Sequence, residues 1–291
     1  MFLAVLLLGM GTGCATGGAE LARDYYNLGV GYLDQGDYFQ AQQYFVRALD
    51  LDPGLTRASY NLARAQLLLG QPEQAVHTLQ ELLQNDTENI LVRETLAYAH
   101  GAAGDWAEAA FIMGTIAEQQ QISLRGWNNY AVTLLELQRY QSAYDAASRA
   151  LRIDPENARA KTMLVIAAAY IPEGLAEHEA ELNAVVQRTP DSRLVTLALG
   201  DGLEYAERYD LALDLYRTAA RVHTEGGEVA FRHARLLVTV AEDQQAGVTA
   251  LTLAVSQGFD DVERLQPLLQ TIDIDIPDAI RDVMNQSPSG D

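Results

Sequence analysis

Alanine recurs at Ala41, Ala75, Ala109 and Ala143, a spacing of 34 residues held without a gap. Leu28, Leu62, Leu96 and Tyr130 keep the same interval, as do the small residues Gly29, Ala63, Ala97 and Ala131 and the turn residues Gly36, Gly70 and Gly104. A fixed period of this length means that one supersecondary unit is repeated and that each copy buries its apolar face against the next. In the first copy Tyr25, Leu28, Gly29 and Tyr32 share one face of a 3.6-residue period, which stops at Gly36, a residue free to take the left-handed conformation that ends helices. A second stripe of Ala41, Phe45 and Ala48 follows, and Pro53 closes the copy because it cannot extend a helix. Each copy is therefore a pair of helices. Gly29, Ala41 and Ala48 mark where two backbones must approach, while the aromatic and leucine positions fill the volume around them.

The run Tyr25-Tyr26-Asn27-Leu28-Gly29, followed by Tyr32, Gly36, Ala41, Phe45, Ala48 and Pro53, resembles a tetratricopeptide repeat (TPR) unit. The fourth copy repeats it with Trp127, Tyr130, Ala131, Ala143, Ala147, Ala150 and Pro155, whereas copies two and three carry Thr87 and Gln121 in place of the closing proline. The resemblance implies an all-α, right-handed TPR solenoid of about seven helix-turn-helix units. They span residues 22–55, 56–89, 90–123, 124–157, 158–192, 193–226 and 227–258. The fifth is degenerate, because Ile171-Pro172-Glu173-Gly174 falls where a tight turn should be and Pro190 arrives one residue late. Residues 259–285 read as a C-terminal cap: a helix over Phe259–Gln270 with Pro267 near its middle, an extended stretch from Thr271 to Pro277, and a brief helix to about Met284. The segment 286–291 reads as a disordered tail.

Phe2 to Leu8 form an unbroken apolar run of signal-peptide length, too short to span a membrane. Gly11-Thr12-Gly13-Cys14 then resembles a bacterial lipobox, although Gly11 stands where leucine is usual and no Lys or Arg precedes the run. The resemblance implies a signal peptide over 1–13, lipidation of Cys14 and a tether over 14–21. The alternatives are an ordinary secretory signal or a buried free cysteine. Ala15 after the cysteine favours the outer membrane, which would place the chain in the envelope, lipid-anchored on the periplasmic face.

The 40 acidic and 20 basic residues leave a net charge of −20, which repels phosphate backbones and argues against nucleic-acid binding. A single cysteine excludes an intramolecular disulfide. There is no Gly-x-Ser-x-Gly elbow or phosphate-binding loop, and His178-Glu179 lacks a second zinc ligand because Leu182 stands there. The sequence points to no enzyme, cofactor or metal.

In TPR stacks the second, fifth, ninth, twelfth and thirteenth positions of each first helix face a concave groove. The second positions here are Arg23, Arg57, Leu91, Arg125 and Arg159, and Arg64 adds a ninth position. Residues 1–170 carry 11 basic and 18 acidic groups, yet their 25 groove positions hold five arginines against Asp34, Glu94 and Glu136. Tyr26, Tyr60, Tyr98 and Tyr170 offer rigid contact surface between the arginines. Asn128 holds the fifth position of copy four, and Asn27, Asn61 and Asn129 hold sixth positions, where the family's asparagines often bond a bound peptide's backbone. The carboxylate clamp of chaperone-binding TPR proteins does not match, since Tyr26 and Val30 replace its Lys and Asn. Asp201, Glu204 and Glu228 predict a negative groove in copies six and seven. The expected function is a non-enzymatic envelope scaffold that binds an acidic partner segment, as in lipidated TPR stacks of pilus or secretin assembly. A transporter-associated small-ligand protein, with a closed pocket among Tyr98, Trp127 and Tyr170, is the alternative. A chaperone-like holdase would need a more apolar groove.

Overall fold

The computed structural model describes residues 12–84, 86–119, 121–188, 190 and 192–286, with the backbone alone for 12–17 and 286. Residues 1–11 of the expected signal peptide and 287–291 of the expected disordered tail lie outside the described residues, as does the Cys14 side chain. Sixteen α-helices are present among the described residues: α1 (Thr12–Asp34), α2 (Tyr38–Leu51), α3 (Thr56–Leu68), α4 (Pro72–Leu83), α5 (Ile90–Ala102), α6 (Trp106–Glu118), α7 (Leu124–Glu136), α8 (Tyr140–Ile153), α9 (Ala158–Ala169), α10 (Glu179–Arg188), α11 (Arg193–Tyr205), α12 (Tyr209–Ala219), α13 (Glu228–Thr239), α14 (Gln244–Ser256), α15 (Val262–Leu269) and α16 (Asp278–Gln286). They are the helix pairs of a TPR-type solenoid, and they divide into two compact units, 1–138 and 139–291.

In the first unit each helix packs on the next in chain order, and the first helices of successive repeats, α1, α3, α5 and α7, also touch in turn. Small residues make this stacking close. Ala41, Ala63, Ala65, Ala75 and Ala109 are fully buried, and a Cβ on Gly29 would lie 2.6 Å from the Phe45 ring. The core around them joins Phe45 and Leu62 to Tyr26, Val30 and Leu49, then Leu79, Met113 and Ile116 to Trp127 and Tyr130. Helix starts are capped by side chains: Asp37 accepts from Gln40 N–H, Asn89 from Val92 N–H, Asp105 from Glu108 N–H and Ser123 from Gly126 N–H.

The turn between the two helices of a repeat has one invariant backbone feature, a left-handed residue. Gly36, Gly70 and Gly104 supply it first, at φ of 80°, 70° and 85°. Gln138, Glu173, Glu207 and Glu242 then take it at 56°, 61°, 57° and 53°, so the turn persists after the glycines stop.

In the second unit α9 is buried on every side from Thr162 to Ala169, as a helix enclosed by neighbours must be. It packs on α8, α10 and α11. Repeat five departs from the others: α9 ends at Ala169, Glu173 turns left-handed, and a 3₁₀ segment, Gly174–His178, precedes α10. A Cβ on Gly174 would lie 2.6 Å from the Ala168 carbonyl, so the chain can cross there only as glycine. His178 Nε2 lies 2.7 Å from the Tyr144 hydroxyl and ties this segment to α8.

Two sequence expectations are revised. α1 starts at Thr12, ten residues before the expected first repeat, because Ala19, Glu20, Leu21 and Ala22 favour helix and extend it back through the stretch read as a tether. The stretch from Thr271 to Pro277 forms no strand. Its alternating isoleucines anchor a loop instead: Ile272 is buried and Ile274 and Ile276 are half-buried, with no adjacent strand to pair them among the described residues.

Candidate functional site

The first helices of the first unit carry the arginines on their exposed side. Arg23 on α1, Arg57 on α3 and Arg125 on α7 are exposed and form no ion pair among the described residues; Arg64 is exposed as well. Of the unit's six arginines, at 23, 47, 57, 64, 93 and 125, only Arg93 forms an ion pair among the described residues, with Glu88 at 3.7 Å. An exposed arginine gains little from a surface carboxylate, but leaving so many without one in so acidic a chain keeps their charge available.

A hydrogen-bonded ladder runs behind these cations. Asn61 Nδ2 donates to the Tyr26 hydroxyl at 3.3 Å, Arg64 Nη1 donates to Asn61 Oδ1 at 3.1 Å, and the Tyr60 and Thr95 hydroxyls lie 3.3 Å apart. Each bridge joins one repeat to the next or braces that joint. Asn61 is therefore buried and its amide is spent between repeats, while Asn27 is exposed, Asn129 half-buried and Asn128 buried. The sixth-position asparagines do not form a uniform row.

Tyr26, Arg57, Tyr60 and Asn61 come together at a cleft of about 340 Å³, completed by Leu82, Asp86 and Leu91. It combines phenol faces, the Arg57 cation, the Asp86 carboxylate and apolar walls. Tyr98 is exposed, whereas Trp127 packs on the core. Arg159, at the start of α9 in the second unit, is exposed and also without an ion pair among the described residues.

Glu94, counted at a groove position, is instead buried at 4% exposure. Its carboxylate accepts Ser123 N–H at 2.6 Å and the Ser123 hydroxyl at 2.7 Å, which holds the start of α7 against α5. The anion is consumed inside the stack, so the exposed face of the first unit is more positive than the sequence position implied.

The negative groove expected in repeats six and seven is likewise corrected. Arg232 pairs with Asp201 and with Glu228, Arg235 pairs with Glu204, and Arg264 makes two bonds of 2.8 Å to Glu228. Carboxylate and guanidinium alternate across α11, α13 and α15. Burial pulls the Glu228 carboxyl up, but hydrogen bonds from Arg264 and Arg232 outweigh it and hold the group below its ordinary range. Arg264 also lies 4.5 Å from the centre of the Phe231 ring, which stacks on Phe259.

Among the described residues no helix is long and apolar enough to cross a membrane, and no group of three or more His, Cys, Asp or Glu is placed to hold a metal ion. Family models described as tetratricopeptide repeat match residues 32–97 and 94–158. An uncharacterized lipoprotein of Treponema pallidum (strain Nichols) is 30% identical over 133 residues, 45% of this chain and 67% of that one. The chain belongs to the tetratricopeptide repeat family. Solved structures agree with this TPR fold. A tetratricopeptide repeat protein from Parabacteroides merdae superimposes with a TM-score of 0.64 at 16% identity, over 87% of this chain and 98% of that one. MamA from Desulfovibrio magneticus RS-1 gives 0.52 at 14% identity, over 62% and 96%. These two likenesses concern the TPR fold alone. TPR stacks are interaction scaffolds, and the surface described above is where this one presents charge and aromatic area.

Proposed function

We propose that this TPR protein is a non-enzymatic adaptor, lipid-anchored through Cys14 in a bacterial envelope, whose first unit binds an extended acidic segment of a partner protein. The observation that carries this reading is the set of exposed arginines, Arg23, Arg57 and Arg125, without ion pairs among the described residues of a chain of net charge −20. A positive strip on a negative body concentrates an acidic ligand at one surface and rejects it elsewhere. The cleft beside Arg57 adds Tyr26 and Tyr60, whose rings supply contact area at low entropic cost. The lipoprotein name of the Treponema relative supports the anchor, and assembly of a pilus or secretion system is the process that we assign to such an adaptor.

The test is crosslinking capture from native envelopes, comparing wild type with an Arg57→Glu, Arg125→Glu variant whose helicity is verified by circular dichroism. One envelope protein captured by the wild type and lost in the variant supports the reading. Capture of the same protein by both chains refutes it.

A further inference from the structure

The second unit contains a cleft of opposite character. Helix pairs elsewhere turn tightly at their left-handed residue, but in repeat five the 3₁₀ segment Gly174–His178 stands between the turn and α10. The room left beside the end of α9 is a cleft of about 490 Å³, bounded by Tyr170, Ile171, Pro172 and Glu173 on one side and by Tyr205 and Arg208 on the other.

Its aromatic wall is layered. Tyr140 stacks on Tyr170 with ring centres 4.1 Å apart and planes 9° from parallel, and Tyr170 meets Tyr205 at 4.9 Å and 34°. The last ring of the series is left open: Tyr205 is 68% exposed, an unusual position for so large an aromatic side chain at the edge of a cavity. The face of such a ring is electronegative and attracts a cation.

The charges around it select the same sign. Arg208 is the cation of the lining, and Glu179 engages it with two bonds of 2.9 Å. Glu173, held left-handed at φ 61°, lines the cleft without an ion pair among the described residues. Burial pushes the Tyr170 phenol up to about 12, with Tyr140, Asp201 and Glu204 pushing the same way against Arg232.

We propose that this cleft binds an arginine side chain of an extended peptide segment, with the guanidinium over the open face of Tyr205 and beside Glu173 and the aliphatic stem against Ile171 and Pro172. A planar guanidinium stacks on a ring and still keeps donors for a carboxylate, which a compact ammonium does less well. The site is separate from the arginine strip of the first unit and reads the opposite charge.

The probe is a fluorescein-labelled hexapeptide of alternating leucine and arginine, titrated with the full chain in detergent micelles and followed by anisotropy at about 0.15 M salt, where long-range attraction to an acidic protein is screened. Saturable binding is expected, weakened roughly 5- to 10-fold by Tyr205→Ser and retained by Tyr205→Phe, in keeping with a ring-to-cation contact. Glu173→Gln should weaken it also. Tyr205 is exposed, so its replacement removes little packing, and circular dichroism checks the fold. The same peptide with citrulline for arginine, neutral but of the same shape, should not bind. The proposal is overturned if the wild type shows no saturable binding, if Tyr205→Ser binds as tightly as wild type, or if the citrulline peptide binds equally well.

Discussion

Replacing Gly70 and Gly104 by alanine tests whether the left-handed turn, and not steric room, explains the glycines of the repeat. At both positions a Cβ would meet nothing within 4 Å, while φ stands at 70° and 85°. The whole cost is therefore conformational. An L-residue in this region costs about 1–2 kcal/mol relative to the right-handed basin, and the loss of glycine's extra freedom in the unfolded chain returns roughly 0.5–1 kcal/mol. Each Gly→Ala change should destabilise the first unit by about 0.5–1 kcal/mol, and the two should add, because the turns lie a full repeat apart and share no partner. The reverse experiment uses Glu207→Gly and Glu242→Gly, at φ of 57° and 53°, which should stabilise the second unit by a similar amount. Urea unfolding followed by far-UV circular dichroism reads the sum, and amide hydrogen exchange in α3–α6 or α11–α14 assigns it to a unit. If Gly70→Ala and Gly104→Ala are neutral, or if the glutamate-to-glycine changes fail to stabilise, the turn does not impose the strain assigned to it.

Glu94→Ala removes two hydrogen bonds from Ser123 to a buried carboxylate and should cost about 2–4 kcal/mol; hydrogen exchange should rise at the start of α7. A Cβ on Gly126 would collide with this carboxylate and lie 2.9 Å from its carbon, so Gly126→Ala should cost less in the Glu94→Ala background than in the wild type, which a double-mutant cycle of denaturation midpoints measures. Glu228 has a folded pKa below its ordinary value of 4.5, so its contribution is complete above that value and is lost as pH falls through the lowered one. Acid titration of stability should show this loss, and Glu228→Gln should flatten it. Phe259 is 3% exposed and stacked on Phe231 at 4.2 Å; Phe259→Ala should cost about 3–5 kcal/mol in thermal or chemical melts of the second unit.

The period of 34 made the helix pairs and their packing stripes legible, because alanine and glycine are forced where backbones meet and that constraint depends on little but position. The turn was legible only while glycine held it. From Gln138 onward the same left-handed residue is Gln or Glu, which any reading keyed to glycine passes over, and in repeat five Ile171-Pro172 moves it one residue along. The arginine positions could also be counted off directly, since nothing downstream competes for Arg23, Arg57 or Arg125. Four of the acidic positions could not, because each has a partner about one repeat later that position counting alone ignores. Glu94 meets Ser123, Asp201 meets Arg232, Glu204 meets Arg235 and Glu228 meets Arg264, at separations of 29 to 36 residues. A signal was present for Glu94: Gly126 stands where Ala58, Val92 and Ala160 stand in other repeats, without a side chain because a carboxylate crosses it. Reading charge on a repeat array therefore requires pairing each position with its counterpart about 30 residues on before any groove is assigned a sign. Applied here, that rule takes Glu94 off the exposed face of the first unit and pairs Asp201, Glu204 and Glu228 in the second, while Asp34 and Glu136 stay exposed. It leaves Arg23, Arg57 and Arg125 of the first unit and Arg159 and Glu173 of the second without an ion pair among the described residues, so the ligand each proposed site selects depends on which of these charges lines it.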